Sequence, residues 1–189
     1  MEPIVWIIIV IVVAFFVLIP LLWFIATMNG LRQKEVKIEE AESGIDVALT
    51  KRFDMLSKLV QTTKGYAKHE AETFEKVVKW RAGMPKELNI EQKEEFDAKL
   101  SEVQRGINVQ VENYPELKAD KVFINLQNSI NDVEEHLQAA RRLYNANVST
   151  LNQRIVSFPT SIVASMISMQ KKAFFEADQE RREDVSIEF

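Results

Sequence analysis

The sequence predicts an all-α protein: a single N-terminal transmembrane helix followed by an antiparallel bundle of about four helices, two of them long. Three observations lead there. Residues 3 to 31 carry no charged side chain. Five Gly and five Pro among 189 residues leave little material for β-turns. Beyond the apolar run, large apolar side chains recur in steps of three and four, the period of a helix with one buried face.

The run from Ile4 to Met28 has Thr27 as its only polar side chain. As a helix it extends roughly 37 Å, more than the ~30 Å of a bilayer's hydrocarbon core, so it crosses with some tilt. Pro20 removes one backbone donor, which neighbouring groups tolerate in lipid, and Trp6 and Trp23 lie near the ends, where amphipathic rings favour the interface. A cleaved signal peptide is the competing reading. It is opposed by the lack of a basic n-region, by an apolar stretch well beyond the usual ~7–15 residues, and by the absence of Cys for lipid attachment. No Lys or Arg precedes the span, whereas Arg32, Lys34 and Lys37 follow it. The positive-inside rule then places the N-terminus outside the cell membrane and the C-terminal domain in the cytoplasm.

The first bundle helix is predicted from Leu31 to about Ala82. Ile45, Leu49, Phe53, Leu56, Val60, Ala67, Ala71, Phe74 and Val78 repeat at about 3.67 residues, with Thr63 or Lys64 filling one step. Asn29-Gly30 supplies a cap or bend between this helix and the membrane span. Gly83-Met84-Pro85 ends it, because proline disfavours helical geometry in the residue before it. A second helix starts near Asn89, with Gln92 completing a capping box, and buries Phe96, Leu100, Val103 and Ile107. It stops near Asn113-Tyr114-Pro115. The third, about Glu116 to Phe158, has the most regular seam: Phe123, Leu126, Ile130, Val133, Leu137, Ala140, Tyr144, Val148, Leu151, Ile155 and Phe158 average about 3.5 residues per step, the coiled-coil spacing. Pro159 interrupts, and a fourth helix capped by Thr160 or Ser161 buries Val163, Met166, Ile167, Gln170, Phe174 and Ala177. The domain organisation is therefore a transmembrane anchor (1–31), a soluble helical bundle (32–183) and a short tail (184–189).

Charge and composition exclude several function classes. The formal net charge is −4, and Lys and Arg are interspersed with Glu and Asp. Nucleic acid is thus not an expected partner. With no Cys there are no disulfides, thiolate zinc sites or Cys nucleophiles. His69 and His136 are the only histidines. Asp132 and His136 share a helical face, but two imidazoles without a third convergent ligand do not make a metal site, and no metal or other cofactor is expected. Abundant Glu reads as solvated helix faces rather than a catalytic pair. Ser157, Ser161, Ser165 and Ser168 surround Pro159 without a G-x-S-x-G elbow. Tyr144-Asn145 places two polar tips on the apolar seam of the third helix, a pattern that sets register through buried hydrogen bonds.

Several stretches together resemble the LemA family. They are Ile45-Asp46-Val47, Lys51-Arg52-Phe53-Asp54, and Leu59-Val60 with Thr63 to Glu70. Glu112-Asn113-Tyr114-Pro115-Glu116-Leu117-Lys118-Ala119 is similar to that family's E-x-Y-P-x-L-K-A turn. Phe123 with Leu126-Gln127, Ala140-Arg141, Tyr144-Asn145, Asn152, Phe158-Pro159, Ala164 and Phe175-Glu176 follow in order. The chain departs from the pattern at Ser57-Lys58-Leu59-Val60, where the family often has proline, and lacks an aromatic near Ala41 to Gly44; a straighter first helix is the consequence. The resemblance implies a bacterial, membrane-anchored helical protein without an assigned activity. It singles out Arg52, Asp54, Glu112, Tyr114, Pro115, Leu117, Lys118, Arg141, Tyr144, Asn145, Phe158 and Pro159 as motif or interaction residues, none of them catalytic.

The favoured functional reading is a non-enzymatic scaffold in the lipid bilayer. Two long helices outrun two short ones, so apolar seam is left for a homo-oligomer or for other membrane proteins. The alternative is a membrane enzyme, or an accessory subunit of a membrane complex, with a polar site near Tyr144, Asn145 and the Glu112–Lys118 turn.

Overall fold

A computed structural model of the chain describes residues 2–63, 68–83, 85 and 87–176. The described residues form helices and connecting turns, with no strand among them. In order they are α1 (Glu2–Thr63), α2 (Lys68–Ala82), α3 (Ile90–Val111), α4 (Pro115–Lys118), α5 (Lys121–Val156) and α6 (Thr160–Met166). They divide into two compact units. One takes α1 as far as Glu39 together with Ala146–Lys172; the other takes Glu40–Asn145 with the chain from Ala173 onward.

α1 overturns two expectations. The expected break at Asn29-Gly30 does not occur: helix runs unbroken from Glu2 through Pro20 and Gly30 to Thr63. The expected continuation to Ala82 does not occur either. On one straight helix Phe53 and Phe74 would stand about 31 Å apart, yet their rings stack with centroids separated by 5.4 Å. α2 therefore folds back on α1. The 3.67-residue rhythm carried no sign of this, because two helices joined by a short reversal keep the same apolar spacing. The buried face of α2 holds Phe74 and Val77, whereas Val78 faces out.

In the larger unit α1 and α5 run antiparallel, since Gly44 approaches Ala140 while Arg52 bonds Glu134 further along. α3 starts at the predicted capping box, where Asn89 Oδ1 accepts from the Gln92 amide at 2.9 Å and Gln92 Oε1 from the Asn89 amide at 3.0 Å. Its Phe96, Leu100, Val103 and Ile107 are buried as expected, and in the same unit Ile45, Leu49, Leu56 and Leu59 of α1 and Phe123, Ile130, Val133 and Leu137 of α5 are buried as well. Each fully buried aliphatic side chain contributes about 1.5–3 kcal/mol of transfer free energy. The third predicted helix is divided: α4 ends at Lys118, and Asp120 Oδ1 accepts from the Val122 and Phe123 amides at 2.8 and 2.9 Å, opening α5 as an aspartate cap.

In the other unit Leu31 and Ile38 of α1, Val148 and Leu151 of α5, and Val163 and Ala164 of α6 are buried. Asn147 Nδ2 donates to the Lys37 carbonyl at 3.1 Å. Here the fourth predicted helix starts where expected, at Thr160, but is short. α6 is only 7 residues long, and neither Thr160 nor Ser161 caps it through a side chain. It ends because Ser168 adopts φ 54, with Ser168 N bonded to Ser165 O at 3.1 Å and Met169 N to Ala164 O at 2.9 Å. Those two bonds form a Schellman motif, which ordinarily recruits glycine; serine there gave no signal in the sequence. Of the expected buried face, Met166, Gln170 and Phe174 are exposed and Phe175 is buried instead. Phe158, placed on the α5 seam by its spacing, is 82% exposed. Ala177 and the 184–189 tail lie outside the described residues.

Candidate functional site

The larger unit contains an ionic cluster inside its helical core. Arg52, only 3% exposed on α1, directs Nη1 to Asp97 Oδ1 of α3. Its Nη2 reaches Ser101 Oγ (3.1 Å) and Gln104 Oε1 (2.9 Å) on α3 and Glu134 Oε1 (2.6 Å) on α5. Arg141 of α5 donates Nη2 to the other Asp97 oxygen. Two guanidinium groups and two carboxylates thus join α1, α3 and α5, and Arg52 Nε and Arg141 Nε are the fully buried side-chain polar atoms among the described residues that lack a hydrogen-bond partner. Charge neutrality and nearly complete hydrogen bonding are what allow these groups to remain buried. Lys93 repeats the device: its buried ammonium bonds Glu42 at 2.8 Å and Asp46 at 2.9 Å, again tying α3 to α1.

Against this cluster lies the segment from Ala173. Phe175 is buried with its ring 4.7 Å from the Arg141 guanidinium carbon, a cation–π contact. Asn145 holds the backbone of Phe175 from both sides, Nδ2 donating to its carbonyl at 2.9 Å and Oδ1 accepting from its amide at 2.8 Å. The Tyr144 hydroxyl donates to the Ala173 carbonyl at 3.0 Å. Burial, reinforced by Glu42 and Glu94, pushes that hydroxyl up to about 12, so it stays protonated and cannot serve as a base near neutrality. Glu94 Oε1 accepts from the Glu176 amide. Its carboxyl is pushed above the usual range, first by burial and then by the negative charges of Glu176 and Glu91, which outweigh that bond. In the other unit Asn152 grips the backbone of Lys172 in the same two-sided way, at 2.9 and 3.0 Å. The polar tips of the α5 seam therefore clamp the chain that follows α6; they do not set register between helices.

Of the residues singled out from the sequence, Arg52, Arg141, Tyr144 and Asn145 gather at this cluster and clamp. Asp54 is exposed on α1. Glu112 and Lys118 are exposed, Tyr114 precedes Pro115 at the start of α4, and Leu117 is buried beneath it. That turn is not part of the same site: α5 between Lys121 and Tyr144 covers about 35 Å. Phe158 and Pro159 form the α5–α6 turn, in the other unit. Sequence reading missed Asp97 and Glu134, the partners of Arg52. Asp97 lies one position from Phe96 on the apolar face of α3, a polar intrusion that was the available signal. His136 and Asp132 are exposed, the His69 side chain lies outside the described residues, and no group of three metal-ligating side chains occurs among the described residues.

An open cavity of about 500 Å³ adjoins the clamp, lined among others by Gln138, Arg141, Arg142 and Glu176. On its wall the Arg141 guanidinium is turned toward Asp97 and the Asn145 amide toward the Phe175 backbone.

A family model for LemA matches residues 41–189. The chain belongs to the LemA family. It is also similar to Protein LemA of Metamycoplasma hominis, with 28% identity over 163 residues, 86% of this chain and 74% of that one. The Arg52–Asp97–Arg141 cluster and the Phe175 clamp both fall inside the region matched by the LemA model. The apolar stretch of α1 precedes that region and is a candidate membrane anchor, with mean hydropathy 3.3 and none of its most apolar window buried.

Proposed function

We propose that this LemA-family chain is a membrane-anchored scaffold, not an enzyme, which self-associates through its long amphipathic helices from the cytoplasmic face of the cell membrane. One observation carries the reading: the interior polar groups that resemble a site hold helices and the C-terminal segment together and have little capacity left for a substrate. Arg52 uses both terminal nitrogens on four partners, and Asn145 uses both amide atoms on Phe175. Large apolar side chains meanwhile face outward on the larger unit, including Val47 on α1, Val109 on α3, and Val122, Ile124 and Leu143 on α5. Such residues on several helices suit lateral pairing with copies of the chain or with other membrane proteins. The cytoplasmic placement rests on Arg32, Lys34 and Lys37 directly after the apolar run.

The test is cross-linking in native membranes, paired with light scattering of the full-length protein in mild detergent. Self-capture and a mass above that of one chain support the proposal. A strictly monomeric particle that cross-links to nothing removes it.

A further inference from the structure

The α5–α6 turn has an unusual surface. Phe158 is 82% exposed, Met166 68%, Val156 58% and Ile162 51%, while the intervening Val163 and Ala164 are buried. What covers this apolar face follows from its height along α1. The Asn147–Lys37 bond, 3.1 Å long, sets the antiparallel register. From there α5 and the turn descend about 16 Å to Phe158, as far as α1 runs back from Lys37 to Ala26. A cavity of about 280 Å³ bears this out, since its lining combines Ala26, Thr27, Gly30, Leu31 and Lys34 of α1 with Arg154 and Thr160. Ala26 and Thr27 belong to the apolar run, which exceeds the ~20 residues that a hydrocarbon core requires. The turn therefore lies where α1 emerges from lipid.

The charges around it fit that position. Lys34 and Arg154 line the same cavity and make no ion pair with the described residues. Arg32 and Lys172 stand close by, sharing Glu35 at 2.8 and 3.5 Å. The hydrogen bond from Arg32, followed by the charge and hydrogen bond of Lys172, outweighs burial and holds the Glu35 carboxyl below the usual carboxylate range. Cations just above an apolar wedge match the phosphate layer above the acyl chains.

We propose that the α5–α6 turn is a second membrane contact, with Phe158, Ile162 and Met166 entering the headgroup–acyl boundary of the leaflet from which α1 emerges, and Lys34 and Arg154 meeting lipid phosphates. The proposal rests on α1 being a membrane anchor. α6, at 7 residues, spans only about 10 Å and does not cross the bilayer. Contact at two points restricts rotation of α1 about its axis and orients its unit relative to the membrane, which a single helix does not.

The absence of Cys makes the test direct. Full-length Phe158→Cys, Met166→Cys, Leu18→Cys and Asn128→Cys proteins, each carrying an environment-sensitive fluorophore, are reconstituted into phosphatidylcholine–phosphatidylglycerol vesicles containing shallow nitroxide-labelled lipid. The labels at 158 and 166 should be blue-shifted and lose most of their emission to the nitroxide, whereas the label at 128 keeps its emission. Met166→Cys leaves the Phe158 wedge intact and guards against loss of insertion through the first variant. Unquenched, red-shifted labels at both turn positions, with the Leu18 label quenched, would overturn the proposal and leave the anchor standing. Blue-shifted but unquenched turn labels, with disulfide-linked dimers of unlabelled Phe158→Cys on oxidation, would assign the face to a second copy and equally refute it. An unquenched Leu18 label would remove the anchor and this proposal together.

Discussion

Asp97→Asn isolates what the buried charges do for the fold. The substitution keeps the shape of the side chain and removes the anion that Arg52 and Arg141 share. Breaking a buried ion pair from one side costs about 3–5 kcal/mol, because a charge is left in the interior without its counter-ion. Two structural facts place this case at the lower end: Arg52 retains Glu134 at 2.6 Å, and the Arg141 side chain is 20% exposed and rests on the Phe175 ring. The expected loss is ~3 kcal/mol, which for a chain of this size lowers the melting temperature by roughly 6–12 °C. The assay is urea and thermal unfolding of the full-length protein in mild detergent, followed by circular dichroism and by tryptophan fluorescence, whose coincidence checks for a single transition. A matched variant completes the test. Replacing Arg52 with Met, Asp97 with Leu and Arg141 with Met removes every charge that would be stranded in the interior, since Glu134 can reach water with 32% of its side chain exposed. Its stability should equal or exceed the wild type, because apolar packing commonly replaces a buried ionic cluster without loss. An Asp97→Asn protein within ~1 kcal/mol of wild type would refute the reasoning, by showing that the cluster is hydrated and holds nothing.

Two further predictions concern the clamp on the C-terminal segment. Tyr144→Phe removes the hydroxyl that donates to Ala173 and should cost about 1 kcal/mol. In the wild type one tyrosine should resist ionisation to about pH 12, because folding raises the hydroxyl; stability linked to it is complete below pH 10 and is lost as pH rises through 12. Alkaline absorbance titration checks both statements, and a tyrosine complement titrating wholly near pH 10 in folded protein would contradict them. Glu94→Gln keeps an acceptor for the Glu176 amide and removes a charge that burial and Glu176 disfavour. Because folding raises this carboxyl, its contribution is complete below pH 4.5 and is lost as pH rises through the elevated value. The variant should therefore be more stable than wild type at pH 7 and indistinguishable from it below 4.5, and melting curves at the two pH values decide this.

Much of the architecture was legible because its determinants are local. An uncharged run longer than a bilayer is thick, a capping box at Asn89 and Gln92, and a seam from Phe123 to Leu151 each reside in a single segment. Their physical meaning does not depend on what packs against them. Arg52, Arg141, Tyr144 and Asn145 were recognisable as special through family resemblance, though their partners were not. The turn from Glu112 to Lys118 is recognisable as well, but it belongs to a different place, because α5 separates it from Tyr144 by about 35 Å.

What only the tertiary structure decided depends on groups far apart in the chain. Arg52 finds Asp97 and Glu134 at separations of 45 and 82 residues, and nothing local to α1 or α3 names either partner. The reversal between α1 and α2 was hidden because an apolar rhythm reports which face is buried and is blind to whether the axis continues. The end of α6 at Ser168 was hidden for a related reason: a non-glycine residue enters the left-handed region at a cost of about 1–2 kcal/mol only when surrounding contacts supply it. Here the chain beyond Ser168 is claimed by Asn152 in one unit and by Tyr144 and Asn145 in the other. Sequence alone determined the apolar run that is a candidate membrane anchor, the capped start of α3 and the buried faces of α3 and α5, since those follow from the chemistry of neighbouring residues. Folding determined which buried faces meet and where the chain turns, since those follow from long-range pairing that local spacing does not encode.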